Sequence, residues 1–297
     1  MNNPQQISKV KGWILASRPK TLLAAVVPVI IGSSLAYDVG KFHFFAALVA
    51  LICSILIQIA TNFVNDLYDH LKGSDTKERV GPERALANGW ISVNEMKLGI
   101  FITFALAFLL GLYLVYLGGW IILVIGILSI ISGIAYTAGP YPLAYNGLGD
   151  IFVFIFFGVI GTVCTFYIQA HYVDPLIFWA SIPVGALITN ILVVNNFRDI
   201  DQDRAASKIT LAVKFGKNFA VGQYIFLVLI SYAVPLIAFF IYGKEWFILL
   251  PLISLPLAVR LVKMLFTLKG TQLNKTLELT AKFSAIFGLL FAIGIIL

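Results

Sequence analysis

Charge is scarce in this sequence. Asp, Glu, Lys and Arg make up 12% of its 297 residues and hydrophobic residues 60%, whereas a water-soluble domain carries about 25% charged and roughly 45–50% apolar residues. The shortage excludes a soluble globular fold and points to an integral membrane protein. Cysteine is scarcer still: Cys53 and Cys164 both lie inside apolar runs, which argues against a disulfide framework or a cysteine metal knot. None of the three histidines stands in ligand spacing with thiols or carboxylates, so zinc is disfavoured. His70 adjoins an acidic stretch but sits one residue off its face, and His43 and His171 read as interface residues. The stretch from Met1 to Lys20 lacks a signal-peptide pattern, and its polar start leads into the first apolar run.

What is present is a succession of apolar runs near 21–37, 44–64, 98–117, 120–137, 150–170, 176–196, 218–241, 246–266 and 281–297. Each is about as long as the 17–25 residues that a bilayer span needs. The expected fold is all-α, a polytopic membrane protein of nine transmembrane helices around a central cavity. It forms one domain over 1–297, with capping loops or short amphipathic helices at 65–97 and 197–217 over the cytoplasmic mouth. The net charge of +7 would suit nucleic acid if the basic residues shared a soluble face, but they lie in short loops between apolar runs. Nine spans put 19 of the 21 Lys and Arg residues on one side and leave only Lys41 and Lys244 on the other. The positive-inside rule then places the N-terminus in the cytoplasm and the C-terminus across the cell membrane, with a lipid bilayer and no nucleic acid as partner. Acidic residues segregate likewise, with Asp38, Asp174 and Glu245 alone on the far side. They contribute little to orientation, so a cytoplasm-facing site is the better account of their clustering.

Two acidic faces stand out. Asn62, Asn65, Asp66, Asp69 and Gly73 share a helical face where an apolar run reaches water, and Asp75 follows. Asn195, Asp199 and Asp203 share another, bordered by Arg198, while Asp201 points away. The echo between the two suggests a parallel repeat. Carboxylates at a membrane boundary cost free energy unless paired, hydrated or metal-bound. Oxygen-rich pairs suit Mg²⁺, which takes one or two carboxylates together with phosphate oxygens and water. Arg18, Lys20, Lys72, Arg198 and Lys208 beside these faces supply the cations that a diphosphate requires. Ordinary positive-inside residues are the bland alternative, preferred for Lys9, Lys11 and Lys217. The stretch from Tyr136 through Tyr141 to Asp150 carries two readings, a tight turn with an N-cap aspartate or a site-lining loop of phenols and backbone.

The first motif, Asn62-x-x-Asn65-Asp66-x-x-Asp69-x-x-x-Gly73-x-Asp75, resembles the first aspartate-rich motif of the UbiA superfamily of intramembrane prenyltransferases. Arg198-Asp199-x-x-x-Asp203 with Lys208-x-Thr210-Leu211-Ala212-Val213 resembles the second. Arg18-Pro19-Lys20-Thr21-Leu22, Arg79-Val80-Gly81-Pro82, Tyr141-Pro142-Leu143, Gly147-Leu148-Gly149-Asp150 and Phe156-Phe157-Gly158 are similar to the MenA-like branch, which prenylates 1,4-dihydroxy-2-naphthoate in menaquinone synthesis. The resemblance runs from about residue 13 to residue 217. It departs at Ser207, where the family usually has glycine, and at Asn146, where a basic residue is expected.

The resemblance implies Mg²⁺ held by Asp66, Asp69, Asp199 and Asp203 on the diphosphate of a polyprenyl donor, with Asn62, Asn65, Lys20, Arg198 and Lys208 assisting. It also implies an allylic cation captured by an aromatic acceptor, and an apolar cavity for the tail that opens sideways to lipid. Acceptors such as 4-hydroxybenzoate, homogentisate or a tetrapyrrole remain open. A secondary transporter fits less well, because its ionisable groups belong near the midplane.

Overall fold

A computed structural model describes residues 7–73 and 80–297. Among them every regular element is helical. We number the main ones α1 (Lys9–Ala16), α2 (Leu23–Asp38), α3 (Phe44–Leu71), α4 (Val93–Gly118), α5 (Trp120–Ala135), α6 (Gly149–Ala170), α7 (Pro175–Arg198), α8 (Ile200–Ala205), α9 (Leu211–Phe215), α10 (Lys217–Phe240), α11 (Trp246–Thr267) and α12 (Gly270–Ile296). A 3₁₀ turn, Pro19–Thr21, joins α1 to α2.

Seven of these helices are long and apolar enough to cross a membrane: α3, α4, α6, α7, α10, α11 and α12. The segments Lys9–Thr21 and Leu23–Asp38 make an eighth span only as a pair bent by 50°. The expected count of nine is therefore not reached by length alone, because α5 has 16 residues, about 24 Å of helix at 1.5 Å per residue against a hydrocarbon core of about 30 Å. Two boundaries also move outward. α4 starts at Val93 rather than near 98 because Ser92 and Glu95 form a capping box. Regular structure in the last span begins at Gly270 rather than near 281, since its first turns are polar but still helical.

α7 is the innermost helix, buried along most of its length. α6, α10 and α12 pack against it, α2 fits between α3, α6, α7 and α12, and α4 and α5 form a peripheral hairpin on α3. The central core gathers Ile31, Leu187, Val194, Tyr224, Phe283 and Phe287 from α2, α7, α10 and α12. Helices approach closely where side chains are absent. A Cβ on Gly158 of α6 would come within 2.6 Å of the Gly185 Cα of α7, the small-residue contact on which membrane helix pairs depend.

The two long loops differ from each other. The 199–216 segment carries the short helices α8 and α9, as expected. The described part of the other loop, 80–92, holds turns and no helix.

Candidate active site

The last three turns of α3 and the last turn of α7 end at the mouth of one cavity of about 680 Å³. Asn62, Asn65, Asp66 and Asp69 line it from α3, and Asn195, Arg198, Asp199 and Asp203 from α7 and α8. The helical spacing is what gathers each set. The backbone bond from Asp203 N to Asp199 O, 2.7 Å, carries the α7 phase into α8 across the break at Asp199. Asp201 is exposed, as its phase requires.

Each carboxylate has its own restraint. Asp66, 1% exposed, accepts from the backbone N–H groups of Ala85 at 3.1 Å and Leu86 at 3.5 Å. Asp69 accepts from Arg84 Nη2 at 2.8 Å and from the Tyr145 hydroxyl at 2.9 Å. Asp199 is gripped by Arg198 through Nε at 2.7 Å and Nη2 at 2.6 Å, a bidentate pair. Arg198 also donates to Asn195 and to Asn274 of α12. Asp203 accepts from Lys208 Nζ at 3.2 Å through Oδ1, while its Oδ2 is buried without a partner. Burial pushes the Asp203 carboxyl above its ordinary value, against the pull of Lys208.

Other expected residues fall into three groups. Arg18, Lys20, Tyr136 and Asp150 line the same cavity. Arg18 adopts φ 51° and stands near enough to Asp66 to act on it electrostatically. Lys20 pairs with Glu278 at 2.6 Å. Asp150 is not an N-cap, since Leu148 holds that place, and it accepts from Gln223 at 2.9 Å. The second group lies off the cavity. Lys72 does not line the cavity; its ammonium donates to Thr137 O at 2.8 Å and lies 4.0 Å from the Tyr145 ring centroid. Burial there lowers its pKa, and the nearby Asp69 opposes the shift. Tyr141 is 61% exposed and outside the cavity. Asp75 lies outside the described residues. His70 does not line the cavity, and His43 caps α3 by accepting from Ala46 N.

The structure also adds residues that spacing did not reveal. Arg84 and Glu83 enter from the 80–92 loop, and Asn274 from α12. Tyr145 ties the two motifs together: its hydroxyl holds Asp69, and its carbonyl accepts from Ile209 N at 2.9 Å beside Lys208. Val80 makes a second tie, donating to Gln202 at 3.4 Å and accepting from Asn274 at 3.1 Å. A basic residue inside the polar 80–92 loop was the one legible hint of Arg84.

The donor chemistry suits a hard divalent cation. All candidate ligand atoms are carboxylate or amide oxygens, and Asp203 Oδ2 and Asn196 Oδ1 are buried at the cavity without a hydrogen bond. No group of three or more acidic, histidine or cysteine side chains converges among the described residues. Mg²⁺ needs no such group, since one or two carboxylates suffice when substrate phosphates and water complete its shell.

Away from the mouth the cavity is apolar. Its stripe on α3 runs from Asp69 down to Ala50, about 28 Å at the helical rise. A π-helical stretch, Phe154–Ile160, interrupts α6 there, and Phe152 and Phe156 stack with centroids 5.9 Å apart on the cavity wall. A mouth of carboxylates interleaved with Arg18, Arg198 and Lys208, over a long apolar bore, suits an amphiphile whose anionic head comes with a divalent cation.

Residues 25–286 match the model of the UbiA prenyltransferase family. The chain belongs to this family. It is 38% identical to a 1,4-dihydroxy-2-naphthoate octaprenyltransferase of Escherichia coli (strain K12), over 99% of this chain and 97% of that protein. Among solved structures, the apo form of a UbiA homologue from Aeropyrum pernix K1 matches with a TM-score of 0.72 at 15% identity, covering 92% of this chain and 97% of that one. A UbiA homologue from Archaeoglobus fulgidus bound to DMAPP and Mg²⁺ matches with a TM-score of 0.60 at 18% identity, covering 95% and 99%. These likenesses show a shared UbiA fold.

Proposed function

We propose that this UbiA-family membrane enzyme transfers a polyprenyl group from polyprenyl diphosphate to 1,4-dihydroxy-2-naphthoate, releasing diphosphate and CO₂. The observation that carries the reading is the convergence of both acidic motifs on one cavity, polar at its mouth and apolar below. The near-full-length likeness to the E. coli enzyme supports the choice of acceptor.

In this reading Asp66, Asp69, Asp199 and Asp203 hold Mg²⁺, which supplies charge neutralisation for the departing diphosphate. Arg18, Lys20, Arg198 and Lys208 take the remaining diphosphate charge, and Asn62, Asn65 and Asn195 fix the carboxylates and the head group. The C1–oxygen bond of the donor breaks with its electron pair going to the diphosphate. Tyr136, Phe152 and Phe156 stabilise the allylic cation through their ring faces. The electron-rich ring carbon that bears the acceptor's carboxylate attacks C1, and loss of that carboxylate as CO₂ returns its bonding pair to the ring and restores aromaticity. The mouth faces the cytoplasm, on the side that collects nearly all the basic residues.

Mass spectrometry of the lipid product tests this directly, using membranes supplied with 1,4-dihydroxy-2-naphthoate and mixed prenyl diphosphates. Prenylated naphthol is expected. Asp66→Asn and Asp199→Asn should each nearly abolish it, and near-normal turnover in either variant would sink the assignment. Prenylation of 4-hydroxybenzoate in preference to the naphthoate would reassign the acceptor and leave the diphosphate chemistry standing.

A further inference from the structure

A second cavity, of about 640 Å³, opens beside the mouth, on the same side of the membrane. It lies where α11 ends and α12 begins, and Lys20, Asn274 and Glu278 line both cavities. Helical spacing builds its α11 wall. Arg260, Met264 and Leu268 recur every four residues and so share a face. Behind that face Leu261, Leu265 and Leu273 are buried in the central core, where they pack α11 and α12 together. Met264 and Leu268 give the groove an apolar side, while Thr271 and Gln272 add a hydroxyl and an amide.

The charges of the lining do not balance. Its one carboxylate, Glu278, is engaged twice, by Lys20 at 2.6 Å and by Lys282 at 2.9 Å. Asn274 is committed as well, accepting from Arg198 and donating to Val80 O. Arg260 and Lys275 are left on the groove with no acidic partner among the described residues. Ordinary positive-inside residues sit in loops or close to the ends of spans. Arg260 instead lies seven residues before Thr267, the last residue of α11, about 10 Å back along the helix. A guanidinium carried at that depth costs free energy unless it meets an anion or snorkels to water. Its planar fork matches phosphate oxygens. One turn deeper on the same face Pro256 is exposed, and Val259 beside it is exposed too, so the groove runs on into apolar, lipid-facing surface.

We propose that this groove seats an anionic phospholipid. Its phosphate lies between Arg260 and Lys275, its glycerol carbons touch Met264, and its acyl chains follow Pro256 and Val259 into the bilayer. Continuity with the apolar face of α11 favours a lipid over free phosphate, which has no use for that face. A basic pocket between membrane helices at head-group level is the setting in which anionic lipid heads are held. The site stands apart from the prenyl-transfer reading, because its cations and apolar side are independent of what the mouth binds.

The test places the full chain in nanodiscs of phosphatidylglycerol and phosphatidylcholine with identical acyl chains, and native mass spectrometry weighs the lipid that stays bound. The parent is expected to retain phosphatidylglycerol roughly tenfold over phosphatidylcholine, and Arg260→Gln with Lys275→Gln to lose most of that preference, at about fivefold per cation. Arg260→Lys should keep most of it. Lys263→Gln with Lys269→Gln removes the same charge from the same end of α11 but outside the groove, and should leave the preference within twofold. An equal loss in this second pair would trace the preference to general surface charge and overturn the proposal. Displacement of the retained lipid by inorganic phosphate would overturn it too, by assigning the groove to a free anion. Should the double groove variant fail to fold, the two glutamine substitutions are read singly, and an unchanged preference in both refutes the site.

Discussion

Asp69 is held by two partners that the linear pattern of its motif does not contain. The spacing of Asn62, Asn65, Asp66 and Asp69 was readable as a shared helical face, and the structure sets all four at the cavity. Arg84 and Tyr145 were not readable, because they arrive from loops 15 and 76 residues away whose paths depend on packing. The Arg84–Asp69 pair is nearly buried, with side chains 8% and 13% exposed, and breaking such a pair leaves a charge without its partner. Arg84→Ala is expected to lower kcat/KM for the prenyl donor by roughly ten- to a hundredfold, about 1.4–2.8 kcal/mol. Arg84→Lys should recover part of the loss, because it returns the charge without the planar fork. Steady-state kinetics with varied donor would show it, and an alanine variant with parental kinetics would remove Arg84 from the site. Ser207 supplies a second case. Its place in a position where the family usually has glycine suggested a different loop path. Instead the serine takes up φ 55°, and the turn leads Lys208 back to Asp203 with a backbone bond of 2.8 Å. A left-handed conformation costs a non-glycine residue about 1 kcal/mol. Ser207→Gly should therefore raise the unfolding midpoint of the detergent-solubilised protein by roughly 2 °C, with activity retained. A lower midpoint would show that the serine is not strained.

Among the elements, those fixed by apolar periodicity were legible and those fixed by caps or by bending were placed less well. α4 began earlier than hydropathy indicates because its first turn is polar, although Ser92-x-x-Glu95 spells the capping box in the sequence. The 50° bend falls between Lys9–Thr21 and Leu23–Asp38, just past the 3₁₀ turn that follows Arg18 at positive φ, and no hydropathy window reports it. The approach of α6 to α7 was hidden for a similar reason, since glycines inside apolar runs reveal nothing of their neighbours. That crossing positions the site. α6 carries Asp150 and the Phe152–Phe156 pair, and α7 carries Asn195 and Arg198, so the Gly158–Gly185 contact sets the distance between these groups. A methyl group at Gly158 would meet backbone on α7 at 2.6 Å, and backbone cannot step aside as a flexible side chain can. Gly158→Ala should destabilise by about 1–3 kcal/mol and lower the unfolding midpoint by roughly 2–6 °C, with reduced turnover as the helices part. Differential scanning fluorimetry in detergent checks the first effect, and an unchanged midpoint would mean that the two helices have room to spare.

At the scale of the whole molecule, the charge split and the cavity constrain the same quantity, the parity of membrane crossings. α3 delivers Asp66 and Asp69 to the mouth, and α4 leads away from it to the Gly118–Gly119 turn. Thr137, just past the end of α5, donates to Asn65, and Tyr145 donates to Asp69. The chain is thus back at the mouth after only 16 helical residues, and local thinning of the bilayer is a modest cost for a short span. From there α6 and α7 go out and return, as the ties from Val80 to Gln202 and Asn274 require. The opposite end is marked by the Lys244–Asp38 pair at 3.0 Å, which contains one of the two basic residues assigned to the far side. If α5 did not cross, Arg198 and Lys208 would lie across the membrane from Asp69, against every one of these contacts. We therefore expect the C-terminus opposite the N-terminus, with the N-terminus cytoplasmic. Alkaline phosphatase fused after Leu297 should be active in whole cells and green fluorescent protein at the same position dark, while the fluorescent protein fused ahead of Ser8 should be bright. Fluorescence from both ends would mean an even number of crossings, and the packing of α5 against α3 would then need another explanation.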